Sequence, residues 1–202
     1  MEAYLAGLIL GLAMITPIGP QNIFLINQGF TFGMPRVLVA VCAAGVCDTV
    51  LIALGGAGAA IILSSVPGLK TFLLISGAVF LLYLGIKSFR TTHEEMVPGR
   101  VEIMRWPRVV AQCASVSVLN PHSVLDVVGL LGVAIAAQVP DDRPIFAAGT
   151  VSASWIWFLL LAACASTLRR WLTARRRRWI DRASGTLLLI FAGAFLVEAF
   201  RS

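Results

Sequence analysis

Apolar residues run along this chain in six long stretches separated by polar connections, at about 3–27, 36–63, 68–89, 108–136, 145–167 and 179–200. Each reaches or exceeds the ~20 residues a helix needs to cross a bilayer core, so the pattern predicts six membrane-spanning α-helices. The connections leave no segment large enough for a separate domain, and residues 1–202 are expected to form one transmembrane domain. The second stretch contains Gly55-Gly56-Ala57-Gly58-Ala59-Ala60 and the third contains Gly77 and Gly85. Small residues of this kind let helix backbones approach closely, and they permit a homo-oligomer without requiring one.

Three prolines interrupt the pattern: Pro17 and Pro20 in the first stretch and Pro121 in the fourth. The other six (Pro35, Pro67, Pro98, Pro107, Pro140 and Pro144) are expected in connecting loops. Proline removes an N–H and clashes with the preceding turn, which frees backbone carbonyls. In hydrocarbon such groups are tolerated only where protein, water or a solute covers them. Polar side chains accompany both breaks, Gln21 and Asn22 beside Pro20, Asn120 and His122 around Pro121. Pro20 and Pro121 stand half a chain length apart, each in the first helix of a set of three. Because three is odd, the two sets enter the membrane in opposite senses. The expected architecture is therefore all-α, two inverted three-helix repeats at about 1–90 and 108–202, joined by a loop at about 90–107, with helices 1 and 4 broken. Two kinked helices without a repeat remain the alternative, since the side chains of the halves match only faintly.

Composition agrees with a membrane protein. The chain is 58% hydrophobic and 13% charged, with a mean hydropathy of +0.89, against about 45–50% and about 25% for soluble domains. The first stretch follows Met1-Glu2 without a basic flank and carries Pro-Ile-Gly-Pro in place of a small-residue cleavage site, so it is expected to be kept. Thirteen of the 16 lysines and arginines lie in or beside loops one, three and five. That bias places those loops in the cytoplasm and both termini outside. The net charge of +6 is accordingly a membrane anchor and not a nucleic-acid surface. Trp106, Trp171 and Trp179 beside arginines fit an interfacial aromatic belt. Cys42, Cys47, Cys113 and Cys164 form no C-x-x-C and no ligand spacing; they read as buried free thiols, and no metal or cofactor is expected.

Few ionisable residues fall inside the stretches. Asp48 lies near the middle of the second and Asp126 near the middle of the fourth. A carboxylate at mid-bilayer costs ~2.5–3.5 kcal/mol on insertion scales, so a functional role is the default. Asp126 follows His122 by four residues and shares its face if the helix resumes after Pro121. The plainer alternative is that both acids are protonated or hydrogen-bonded to serines and broken-helix backbone, with His122 a satisfied core residue. Asp181 and Glu198 read as boundary residues, and Trp155 and Trp157 as cavity-lining or packing. Broken helices offer N–H groups suited to a carboxylate and carbonyls suited to an ammonium. Gln21, Asn22 and Asn120 both donate and accept. With Asp48 and Asp126 supplying negative charge or a titratable proton site, the set matches a zwitterion, and the extra acid favours one with a cationic side chain. An enzyme built on His122 and Asp126 would lack a nucleophile, a ligand set and a cofactor motif.

Three motifs carry a family resemblance. Ile18-Gly19-Pro20-Gln21-Asn22, Leu119-Asn120-Pro121-His122 with Leu125-Asp126, and Ala153-Ser154-Trp155-Ile156-Trp157-Phe158 resemble the LysE/ArgO family of amino-acid exporters, as does the aspartate at Asp48. The similarity spans nearly the whole chain. It implies a multi-pass exporter in the plasma membrane (the bacterial inner membrane) that moves lysine or arginine, driven by the membrane potential or a proton gradient. Export of neutral amino acids or other small zwitterions, and a non-transporting scaffold, are the alternatives. Carried over residue by residue, Gly19, Pro20, Gln21, Asn22, Asn120, Pro121 and His122 would form the substrate site with Asp48 and Asp126. Those two acids would also couple the proton or cation, and Ser154 and Trp155 would line the cavity.

Overall fold

The first apolar stretch breaks where its prolines stand. Helix α1 (Glu2–Ile15) and helix α2 (Pro20–Phe32) meet at 81°. Pro17 lies in the break, while Pro20 takes the first turn of α2, where its missing N–H would have had no partner anyway. The computed structural model describes residues 1–58, 68–90, 105–120, 124–171 and 173–201, and every regular element among them is helical. Helix α2 runs to Phe32, five residues past the expected end of the first span. The chain then turns through Gly33 at φ 65, and Arg169 Nη1 donates to the Phe32 carbonyl at 2.7 Å, placing a cation on the negative end of α2.

Helix α3 (Leu38–Gly56) stops short of the expected 63, because Gly58 adopts φ 88, a left-handed conformation that ends helices. The remainder of that expected span lies outside the described residues. Helix α4 covers Leu69–Arg90 and helix α5 Trp106–Val118. The fourth stretch is broken after α5 and resumes as a π-helical segment, Leu125–Leu131, continuing into α6 (Gly132–Ala136). Pro121 itself lies outside the described residues. Helices α7 (Arg143–Arg169) and α8 (Ala174–Arg201) complete the chain.

Two expectations are corrected. Pro107 and Pro144 sit in the first turns of α5 and α7 and not in loops, a position whose φ suits proline. The run Arg175 to Arg178, expected in loop five, belongs to the start of α8, since arginine is a good helix former.

Among the described residues α3, α7 and the Arg178–Arg201 part of α8 are long and apolar enough to cross a bilayer, and the bent α1–α2 pair adds a fourth such unit. The apolar parts of α4 (Leu74–Phe89) and of the segment Val127–Ala136 are shorter. Helix α7 packs against α1, α2 and α3; α3 packs against α5, the π-helical segment and α6; α4 packs along α8. Glycine makes these contacts close. A Cβ on Gly7 would strike the Phe146 carbonyl, and one on Gly149 would strike that of Tyr4, fixing α1 against α7. Gly85 and Gly185 are reciprocal: a Cβ on either would come 3.2 Å from the carbonyl oxygen of the other.

The interior is stratified. One apolar cluster gathers Leu25, Val41, Ala44, Leu81, Phe158 and Phe195; a second gathers Ile52, Leu131, Ile135 and Phe146. Asp48 lies between them along α3, and Thr150 and Ser154 lie between them along α7. Helix α3 enters the first cluster early and α7 enters it late, so these two helices run in opposite senses.

Of the four cysteines, all free, Cys113 is buried, with its thiol directed at the Ala40 carbonyl. Cys42 and Cys164 were expected buried and instead lie on exposed faces of α3 and α7, in keeping with the lipid-compatible character of a thiol.

Candidate functional site

The layer between the two apolar clusters is built from the first break. Freed carbonyls at Ile15 and Pro17 find a donor in Asn22, whose Nδ2 reaches both, at 3.0 and 2.9 Å. That is the local answer to the problem the prolines create, because a carbonyl left unpaired in hydrocarbon is costly. Helix α2 opens on Gly19 with no side-chain cap, and Pro20 has no N–H. The amides of Gln21 and Asn22 therefore head the positive end of the helix.

Asp48 sits on the buried stripe of α3, with Val41 and Ala44 before it and Leu51 and Ile52 after it at helical spacing. It is 4% exposed. Gln21 Nε2 donates to Asp48 Oδ1 at 3.1 Å, and the Ser154 hydroxyl is a second hydrogen-bonding neighbour of the carboxylate. Three elements thus converge on one acid: the start of α2, the middle of α3 and the middle of α7.

Around them lies a cavity of about 430 Å³, within the range of about 300–1,000 Å³ typical of small-molecule sites. It brings together Gly19, Pro20, Gln21, Asn22, Asp48, Asn120 and Ser154 from the sequence-derived set. Gln21, Asn22, Asp48, Asn120 and Ser154 are all buried, whereas Pro17 and Ile18 on its rim are exposed, so the cavity runs inward from an open edge. Asn120 is the contribution of the second break, placed just beyond the end of α5. The two interrupted segments meet on one chamber.

The remaining candidates fall elsewhere. Pro121 and His122 lie outside the described residues, as does the side chain of Asp126. The backbone of Asp126 belongs to the π-helical segment, whose Val127 and Leu131 line the cavity. Trp155 does not line it. Its ring lies against Gly45, where a Cβ would come within 2.6 Å, and its Nε1 donates to Thr49 Oγ1 at 3.3 Å, locking α7 to α3. Thr150 and the aromatic wall of Phe158, Phe191 and Phe195 line the cavity without having been expected there, although Phe158 closes the third motif. Thr150 and Ser154, one turn apart in an apolar stretch, were a legible signal; the phenylalanines were not, because an aromatic residue in an apolar helix can pack, face lipid or line a cavity and its position in the sequence does not say which.

Among the described residues no cluster of His, Cys, Asp or Glu is arranged to hold a metal. Among the described residues the chamber offers the buried carboxylate of Asp48, amide groups able to donate and accept, the hydroxyls of Thr150 and Ser154 and an aromatic wall. Such a lining suits a small solute bearing both a cationic and an anionic group.

Residues 12–199 match the family described as LysE type translocator. The chain is 37% identical to "Arginine exporter protein ArgO" of Serratia proteamaculans (strain 568), covering 93% of each chain. It is 36% identical to the protein of the same name in Escherichia coli (strain K12), over 94% of this chain and 90% of that one. With "Putative amino-acid transporter YisU" of Bacillus subtilis (strain 168) it shares 32% identity over 99% of this chain and 91% of the relative. No solved structure matches the chain.

Proposed function

The chain belongs to the LysE type translocator family, and on that premise we propose that it is a secondary active transporter that exports amino acids, L-arginine and L-lysine foremost, by gradient-driven alternating access. The observation that carries the reading is the meeting of Gly19, Pro20 and Asn120 on one chamber with the buried Asp48. A scaffold whose polar residues only join helices has no use for such a space. Relatives that bear the name of arginine exporters support the choice of a cationic substrate.

In this reading the cationic side chain or ammonium of the solute lies against Asp48. Its carboxylate is received by the uncapped start of α2, and Asn120 and Ser154 complete the polar lining. Asp126, on the π-helical segment beside the same cavity, supplies the second carboxylate, and the two acids exchange substrate with a coupling proton. π-Helical turns recur at functional sites, which supports giving Asp126 this role.

Six spans in two inverted repeats organise the movement. Two features support that layout: α3 and α7 run in opposite senses, and Gly85 and Gly185 make a reciprocal contact of the kind a two-fold axis produces. Each bent or broken segment also packs against the long helix of the other half, α1–α2 against α7 and the π-helical segment and α6 against α3. Rocking of one half against the other would expose the chamber to each side in turn. The arginine-rich loops face the cytoplasm of a bacterial inner membrane and both termini face outward.

The test is accumulation of labelled arginine by inside-out membrane vesicles under an imposed proton gradient and membrane potential, with competition by lysine and by neutral amino acids. Arginine accumulation suppressed by lysine is expected. Accumulation of neutral amino acids alone would assign the protein a different substrate, and none at all would remove the transport reading.

A further inference from the structure

A second cavity, of about 370 Å³, lies at the other end of α2. The same two helices wall both chambers. Along α2, Gln21 and Asn22 face the Asp48 cavity, while Gln28 and Thr31 face the second; along α8, Phe195 and Phe191 face the first and Leu188 and Asp181 the second. Between them stand Phe24 and Leu188, both buried in the larger apolar cluster. The second cavity is therefore in line with the first and separated from it by an apolar septum about one helical turn thick.

Its chemistry is unlike that of the first. Among the described residues Lys87, Arg105, Arg108 and Asp181 line it, and the two arginines, both exposed, present positive charge to an incoming solute. Arg105 and Arg108 are exposed at its mouth. In its wall Gln28 Oε1 is buried without a hydrogen-bond partner. A buried acceptor in that condition is uncommon and points to a donor brought by a ligand or by water. Cations at the rim and an orphaned acceptor deeper in are the complement of an α-amino acid, carboxylate outward and ammonium inward.

We propose that this cavity is an intake site on the basic face of the protein: Arg105 and Arg108 take the carboxylate of the amino acid, Gln28 Oε1 accepts from its ammonium, and the solute then passes Phe24 into the Asp48 chamber. The inference rests on the export reading and adds to it a second station and a recognition element, the carboxylate. It makes Phe24 the side chain that must move for the two chambers to join.

Initial rates of labelled arginine accumulation in inside-out vesicles test it. Arg105→Gln with Arg108→Gln, and separately Gln28→Leu, should each raise the KM for arginine about tenfold with Vmax unchanged. Arg105→Lys with Arg108→Lys should restore most of the loss. Agmatine, which keeps the guanidinium and lacks the carboxylate, should compete weakly against the unmodified protein, with an inhibition constant that the Arg→Gln changes do not raise. An unchanged KM in the Gln28→Leu and Arg→Gln variants would overturn the intake site and leave export standing. So would an effect seen in proteoliposomes with phosphatidylglycerol and lost without it, which would assign the cations to a lipid headgroup. No accumulation by the unmodified protein would overturn the export reading and the intake site with it.

Discussion

Gln21 holds Asp48 across the interface of α2 and α3, its Nε2 donating to Asp48 Oδ1 at 3.1 Å within the buried layer. The bond links the helix that begins at the first break to the acid at the middle of the next helix. Replacing Gln21 by Leu keeps the volume and removes the donor, leaving the carboxylate short of a partner. The expected loss is about 1–3 kcal/mol of stability, read as a lower thermal midpoint in detergent, together with a reduced rate of arginine export.

Asn22 is expected to be intolerant of even an isosteric change. Its Nδ2 serves the carbonyls of Ile15 and Pro17 at once. Asn22→Asp turns that donor into a third acceptor facing two others. Loss of folded protein from the membrane fraction, or a midpoint lowered by an amount corresponding to about 1–3 kcal/mol, should follow; Asn22→Ser, with one donor, should be intermediate.

Glycines differ sharply in what they allow. Gly7→Ala drives a methyl into the Phe146 backbone and should separate α1 from α7, at a cost of about 1–3 kcal/mol. Gly193, on the outer side of α8, has nothing within 4 Å of a built Cβ. Gly193→Ala should leave the thermal midpoint unchanged or raise it by up to about 1 kcal/mol of helix stability. Paired melting curves decide the matter.

Arg169 caps a helix that is not its own. Its guanidinium bonds the Phe32 carbonyl and lies against Gly33, so Arg169→Gln removes a cation from the negative end of α2. A penalty of about 0.3–2 kcal/mol is expected, seen as faster amide exchange in the last turn of α2 while the first turn is unaffected.

Much of this arrangement was readable from residue order. Proline inside an apolar stretch interrupts the helix, so the breaks at Pro17–Pro20 and after α5 stood out, as did Asp48, an acid near the middle of an apolar stretch. The sharpness of the α1–α2 bend was not readable, since 81° depends on how α1 and α2 seat against α7. Helix ends escaped for a local reason. Gly58 could have continued α3 or ended it, and only its left-handed backbone decides. Arg175 to Arg178 looked like a loop because charge is usually solvated, yet arginine extends a helix past the bilayer edge readily. Trp155 illustrates the converse. Its motif position suggested the cavity, and the small residue Gly45 opposite drew the ring into the helix interface.

Asp48 tests the central idea most directly. Unmodified and Asp48→Asn proteins, matched for insertion and for thermal midpoint, are compared for gradient-driven accumulation of labelled arginine in inside-out vesicles. Asparagine keeps the shape and can still bond Gln21, so only the acid is removed. A fall of about tenfold or more is expected, the effect of losing a charge-assisted contact to the solute. Accumulation at the full rate by Asp48→Asn would mean that the buried carboxylate takes no part in moving the solute, and that the chamber around it is not the site of transport.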